Sequence, residues 1–372
     1  MKAAMSRISV TILATLLIGT APVSASVRDC PLRDAPFSVD SPLLDVLLSS
    51  AATAAASQAL GGKLEQPSPM MPSTRPPTFA AILTVRAAAG FAKSRSIDLV
   101  ALDRTLRALP VSDADRTARC ARYDDDQPSF ALAAGKPNLL LFEKINGFKD
   151  VPSFNAAHAA LLAMAKRKGW NLVVTDKGGA FTPGTLAKFD AVIWNNISGD
   201  VLTMSQRRAF QSYIERGGAY IGVHGSAGDP VYFWDWYADT LLGARFAGHA
   251  MNPQFQAARI VVDNKENPAA RRLPAEWVMK DEWYSFKSSP RLKGADIIAT
   301  LDESSYKQNG FAGERLTMGD HPIAWTKRIG RGRMFYSAIG HLPETYSDPR
   351  YVVMLEDGIG WAIKGKKQSA KR

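Results

Sequence analysis

Downstream of Lys136 the chain alternates between uninterrupted apolar runs and amphipathic ones. "PNLLLFEKI", "NLVVTD", "FDAVIWNN" and "AYIGVHG" each hold a short continuous apolar core. Such cores suit strands buried on both faces. Between them, "FNAAHAALLAMAKRKG" has helical spacing and stops at Gly169, while "TMSQRRAFQSYIERGG" runs from Thr203 to a stop at Gly217. Helices between buried strands predict a mainly parallel sheet with helices on both faces. Ligands gather at the C-terminal strand edges of such sheets, and that edge holds Glu143, Asn195, Asn196 and His224.

Upstream the pattern is helical only. "SPLLDVLLSSAATAAASQALGG" begins at Ser41–Pro42 and stops at Gly61, and a Pro-rich linker, "QPSPMMPSTRPP", follows. "TFAAILTVRAAAGFAK", "SIDLVALDRTLRALP" and "SDADRTARCARY" again have helical spacing. No polar constellation stands out there, so this part is assigned structure or partner contact. The expected organisation is a signal peptide over 1–25, a helical N-terminal domain with its linker over 26–136, an α/β domain over 137–366 and a basic tail over 367–372.

The first residues set the compartment. Lys2 and Arg7 precede the apolar run "ISVTILATLLIGTA", and Val23, Ser24 and Ala25 suit signal peptidase. Cleavage after Ala25 is expected, giving a periplasmic or secreted protein without stable membrane insertion. The chain has two cysteines, Cys30 and Cys120, and an oxidising compartment favours a bridge between them over two separate thiols. The formal charge of +11 includes Lys2 and Arg7, and more of it sits in the tail "KGKKQSAKR". With no basic helix interleaved with aromatics, a solvated basic surface is expected and nucleic acid is not an expected partner.

The candidate chemistry centres on "GGAYIGVHGSAGD". A strand ending in Gly-x-nucleophile-x-small residue makes a sharp elbow that lifts one side chain above the sheet edge. Here that residue is His224, within Gly222-Val223-His224-Gly225-Ser226. Three roles stay open for it: proton transfer near neutral pH, ligation of a divalent metal, or a structural pin of the turn. No His-x-x-x-His or HExxH pattern supports the metal. Glu282, in "KDEWYSF", alternates with apolar neighbours, so Trp283 faces one side and Glu282 with Tyr284 the other; it is expected as general base or metal ligand, with Asp281 a lesser partner. His341 ends the strand "MFYSAIG" and is expected at the same rim. His249, in "AGHAMNP", and His321, in "GDHPIAW", are weighed between substrate contact and, respectively, a surface loop and a capping role, while His158 is read as packing. Asn195 and Asn196, with Ser198 and Asp200, could hydrogen-bond hydroxyls or cap the helix near Thr203, and Trp236 and Trp325 are candidate aromatic walls.

Taken together, "GGAYIGVHGSAGD", "LLGARFAGHAMNP", "KDEWYSF", "DHPIAW" and "GRMFYSAIGHLPETYSDP" resemble the ThuA-like (trehalose utilisation) family over roughly residues 137–364. The resemblance implies the class I glutamine amidotransferase-like, flavodoxin-like α/β fold and a link to saccharide metabolism. Where family members commonly have a Gly-Phe-Arg-His turn, this chain has Gly147, Phe148, Lys149 and Asp150. "GHLPE", with His341 and Glu344, is similar to the His-x-Glu pair of glutaminases, but a glutaminase needs a thiolate and His224 stands in its place. The resulting expectation is an exported, carbohydrate-active enzyme (a hydrolase, lyase or isomerase) working on a saccharide or oxidised sugar by His/Glu acid–base chemistry. The alternatives are a non-catalytic saccharide-binding protein and a metal-dependent sugar hydrolase.

Overall fold

The computed structural model describes residues 27–60, 73–91 and 97–369. The expected signal peptide, the first seven residues of the linker and the end of the tail lie outside these. The N-terminal region contains α1 (Leu43–Leu47), α2 (Ser50–Leu60), α3 (Val85–Phe91), α4 (Leu99–Arg107) and α5 (Asp113–Cys120). Asp98 caps α4, and Ser112 with Asp115 forms a capping box on α5. The single helix expected from Ser41 breaks after Leu48, which lets Leu43, Leu44 and Val46 share one core with Ala52 and Ala56. "TFAAILTVRAAAGFAK" divides too, into a 3-10 turn at Phe79–Ala81 and α3.

Cys30 and Cys120 form a disulfide, so the chain holds no free thiol. A buried Arg122–Asp45 ion pair at 2.5 Å joins the end of this region to α1. Tyr123 donates to Asp200 at 2.9 Å, and Lys144 pairs with Asp124, so the next residues fasten the region to the sheet.

The main sheet has nine strands. β1 (Asn138–Phe142), β2 (Asn171–Thr175), β3 (Ala191–Asn195) and β4 (Ala219–Val223) are parallel, in the order β2-β1-β3-β4. Between them run α6 (Val151–Lys168), α7 (Pro183–Leu186) and α8 (Met204–Glu215). Asp150 caps α6 and Gly169 ends it at φ 68°, while Thr203 and Gln206 form the capping box of α8. Of the segment weighed for that cap, Asp200 instead pairs with Arg207 and Ser198 bonds Asp229.

The later strands are β6 (Phe255–Val262), β7 (Glu276–Glu282), β9 (Asp296–Leu301), β10 (Pro322–Ile329) and β11 (Gly332–Ser337). β11 lies parallel beside β4, and β10, β9, β6 and β7 follow it antiparallel. The sheet is thus parallel in its core with an antiparallel extension. Burial alternates along β7, as in a sheet with one solvated face. β5 (Phe246–His249) and β8 (Tyr284–Phe286) form a separate two-stranded ribbon, and α9 (Pro349–Ser369) continues into the segment expected as a basic tail. Among the described residues no helix is long and apolar enough to cross a membrane.

Asp229 ties the turn after β4 to the loop after β3. It accepts from the Ser198 hydroxyl at 2.6 Å and from the Gly199 amide at 2.7 Å. Burial pushes its carboxyl up to about 7 although both hydrogen bonds oppose the shift. A carboxyl raised in the folded state stabilises fully below its unfolded pKa and loses that contribution as pH rises through the folded value. The wild type should therefore lose up to roughly 4 kcal/mol of stability between pH 4 and 8 from this group. Asp229→Asn removes the charge, keeps its carbonyl oxygen for the Gly199 amide, and retains the second contact by donating its NH2 to the Ser198 hydroxyl, which reverses that bond. Melting curves across that range should converge at pH 4 and show the variant more stable at pH 8; parallel curves would refute the assignment.

Candidate functional site

β4 delivers His224 to the rim in a strained turn. Its φ is 37°, a left-handed value costly for a residue with a Cβ, and it opens the 3-10 turn His224–Ala227. Gly225 donates to Asn196 Oδ1 at 3.1 Å, and Ser226 bridges Ile197 and Trp194, so the loop after β3 holds the elbow. Across from it, Gly340 has φ 138°, and a Cβ there would come within 2.5 Å of the Tyr346 hydroxyl and 3.2 Å of His224 Cβ. A glycine is needed for the two loops to close to this distance.

His224, Glu282 and His341 converge. His224 Nε2 lies 3.2 Å from His341 Nδ1 and 3.5 Å from Glu282 Oε2, and His341 Nδ1 is 2.9 Å from the same carboxylate oxygen. His249 Nδ1 is 3.3 Å from Glu282 Oε1, to which Gln254 also donates. His224 Nδ1 is 2.6 Å from the Ala338 carbonyl, which can only accept, so that nitrogen carries a proton and donates. The Nε2 of a neutral His224 is then a lone pair facing the cluster, and only the protonated ring donates from Nε2 to Glu282. Tyr284 stacks on the His224 ring at 4.3 Å.

Burial would raise the Glu282 carboxyl, but hydrogen bonds with His224 and His341 hold it well below the usual carboxylate range. Burial alone would lower His341, yet its hydrogen bond with Glu282 and that residue's charge raise it. Glu282 is 2 % exposed and enclosed by three imidazoles, so it reaches a ligand only through them. His341 Nε2 has no hydrogen-bond partner among the described residues. Phe148 and Phe255 flank that ring, at 6.4 and 5.1 Å between centroids.

Asp281 is fully buried and organises the His341 loop. It accepts from the amides of Gly340, His341 and Leu342 at 2.9, 3.0 and 3.2 Å and from the Thr345 hydroxyl at 2.7 Å. Sequence reasoning ranked it below Glu282 as a lesser partner. Nothing local announces amides some sixty residues downstream. Alternation alone places Asp281 and Glu282 on opposite sides of β7, one toward backbone and one toward imidazole.

Other expected residues lie elsewhere. His321 is buried between Glu303 at 2.8 Å and the Tyr284 carbonyl at 2.9 Å, beneath the site rather than in it. Trp325 is packed inside the sheet and donates to the Leu242 carbonyl, because β10 has both faces covered there. Trp236 stacks on Trp234 and meets Phe210 edge-on, in the turn of helix after the elbow. Asn195 bonds Glu143 and the Phe154 carbonyl, while Asn196 holds the elbow and contacts the Tyr346 hydroxyl. Glu344 is exposed, and the carboxylate partner of His341 is Glu282. His158 does more than pack, sharing Glu143 at 2.9 Å. Asp150 is spent on capping α6, and Lys149 lies over the Phe154 ring at 4.0 Å.

The model of the family ThuA, trehalose utilisation, matches residues 138–362. Among solved structures, a ThuA-like protein from Bacteroides uniformis is 26% identical with a TM-score of 0.53, over 63% of this chain and 95% of that one. A ThuA-like protein from Parabacteroides merdae is 18% identical with a TM-score of 0.46, over 62% and 91%. No curated protein matches the chain.

The Asp281 arrangement is directly testable. Asp281→Asn keeps the volume but turns one acceptor into an N–H facing donors. It should cost roughly 2–4 kcal/mol of stability and displace His341, read as a lower melting temperature with altered imidazole resonances. An unperturbed His341 signal would contradict the anchoring role.

Proposed function

The chain belongs to the ThuA family, and on that premise we propose that it is an exported protein that acts on a saccharide or an oxidised (keto) sugar by His/Glu acid–base chemistry. One observation carries this reading: a buried Glu282 holds His341 Nδ1 at 2.9 Å while His341 Nε2 is left for a ligand. A carboxylate that orients one imidazole nitrogen fixes the tautomer and raises the basicity of the other. His341 Nε2 takes or gives the proton, Glu282 positions it, and His224, fixed by the Ala338 carbonyl, closes the cluster. His249 stands at the margin, 29% exposed. Glutaminase chemistry is not part of this reading, because both cysteines are in the disulfide and no thiolate can form.

Export is supported by the basic start, the apolar run and the small residues at Ala25, together with the disulfide. Intact mass spectrometry of protein expressed with its own N-terminus should give a chain beginning at Ser26 that carries one disulfide. An uncleaved chain with two thiols would remove this part of the proposal.

The activity is tested by incubating the purified protein with glucose, trehalose and their 3-keto forms and following the products by NMR. His341→Gln should lower turnover by about 10²-fold or more with little change in melting temperature. Since Glu282 stabilises the imidazolium, the acid limb of the pH–rate profile should lie above the ordinary histidine value of 6.5, and Glu282→Gln should move it down. Binding without turnover would return the protein to the class of saccharide-binding proteins.

A second reading has its own observation. The cluster's N and O atoms are separated by 2.9 to 3.5 Å, close to the edge of about 3.3 Å expected between ligands around a tetrahedral zinc. His224 Nδ1 already donates to a carbonyl, as ligating histidines do. Elemental analysis of protein purified without chelators distinguishes the two. One equivalent of a divalent metal, lost in Glu282→Gln, would replace proton transfer by the three residues with metal-assisted chemistry.

A further inference from the structure

Beside the cluster stands a ring that the proposed proton transfer does not use. Phe148 lies in the loop between β1 and α6 and is 41% exposed. Its backbone is clamped: Phe148 donates to the Ser198 hydroxyl at 2.9 Å and Gly147 to the Ser198 carbonyl at 2.8 Å, while Ser198 is held by Asp229. The loop is fixed, yet the side chain faces outward.

A second clamp comes from the N-terminal region, which lies outside the family match at 138–362. Phe79, in the 3-10 turn before α3, packs on Phe148 at 5.0 Å between centroids with a 31° tilt. Phe148 also approaches His341, at 6.4 Å between centroids with the same 31° tilt. The Thr78 amide donates to the Asn146 carbonyl at 3.0 Å, and an Ile82 methyl occupies the space 2.6 Å from where a Cβ on Gly147 would stand. This contact requires glycine at 147 and seats the N-terminal turn on the loop that carries Phe148.

An aromatic ring held rigidly next to a polar cluster and left 41% exposed keeps apolar surface uncovered. It is one ring wide, far below the area of a stable protein interface. A pyranose fits it, because one sugar face presents C–H groups while its hydroxyls point sideways toward the imidazoles. We propose that Phe148 is the platform on which a pyranose lies over His341, and that the N-terminal region, through Phe79, sets its position and so shapes which saccharide is accepted. The proposal rests on the saccharide reading above.

The test uses the full-length protein with Phe148→Ala, Phe148→Trp, Phe79→Ala and Phe79→Leu, titrated with glucose, trehalose and their 3-keto forms by saturation-transfer NMR and calorimetry. Phe148→Ala should weaken saccharide binding about 5–10-fold and raise KM more than it lowers kcat, with only a small drop in melting temperature from the lost Phe79 contact. Phe148→Trp should restore affinity. Phe79→Ala should weaken binding less, and Phe79→Leu, which keeps apolar bulk without a flat face, guards against reading unfolding as lost affinity. Wild-type binding that all four variants retain overturns the platform alone. A wild type that binds none of these sugars overturns the saccharide reading and the platform with it.

Discussion

The site depends on a single buried carboxylate. Asp281 spends its two oxygens on three consecutive amides and a hydroxyl of the loop after β11. A carboxylate out of water is stable only when its lone pairs are filled, so the contact fixes both partners. It joins the edge strand of the antiparallel extension to the parallel core, although three strands lie between β7 and β11 in the sheet order. The end of β7 and the loop after β11 meet through this bond, and the same meeting places the next residue, Glu282, against His341.

Glu282 then meets the same constraint with different partners. Asp281 is satisfied by backbone and is structural; Glu282 is faced by His224, His249 and His341, groups that can change protonation. Two adjacent acids on opposite sides of one strand thus divide the work of building and serving the site. The left-handed backbone at His224 fits this picture, since strain at a rim residue is sustained only where its surroundings over-determine it. Here the Ala338 carbonyl, the stacked Tyr284 and the Asn196 contact to Gly225 supply that determination.

The N-terminal helices are more than an appended unit. Their core is separate, built on Leu43, Leu44, Val46, Leu102 and Leu106. One set of polar links runs toward the C-terminal edge of the sheet: Tyr123 to Asp200, Asp124 to Lys144 and to the Gly178 and Gly179 amides, and Thr78 to Asn146. The disulfide fixes the end of α5 from which the first of these links departs.

How far each feature could be read follows from the range of the interaction that makes it. Apolar runs and helix spacing are local, so β1 to β4, α6, α8 and the elbow at His224 were legible in the chain itself. The strand before His341 was legible too, but it ends at Ser337 and His341 follows in the loop after it. The motif resemblance also carried the fold family. Tertiary structure alone decided which carboxylate meets which histidine. Glu282 and His341 are 59 residues apart, and their contact depends on an antiparallel extension whose strand order no local pattern encodes. The aromatic residues at the site, Phe148 and Phe255 rather than Trp236 and Trp325, were set the same way: burial of a ring is a property of what packs against it, and for Trp325 and Phe148 those neighbours come from distant parts of the chain.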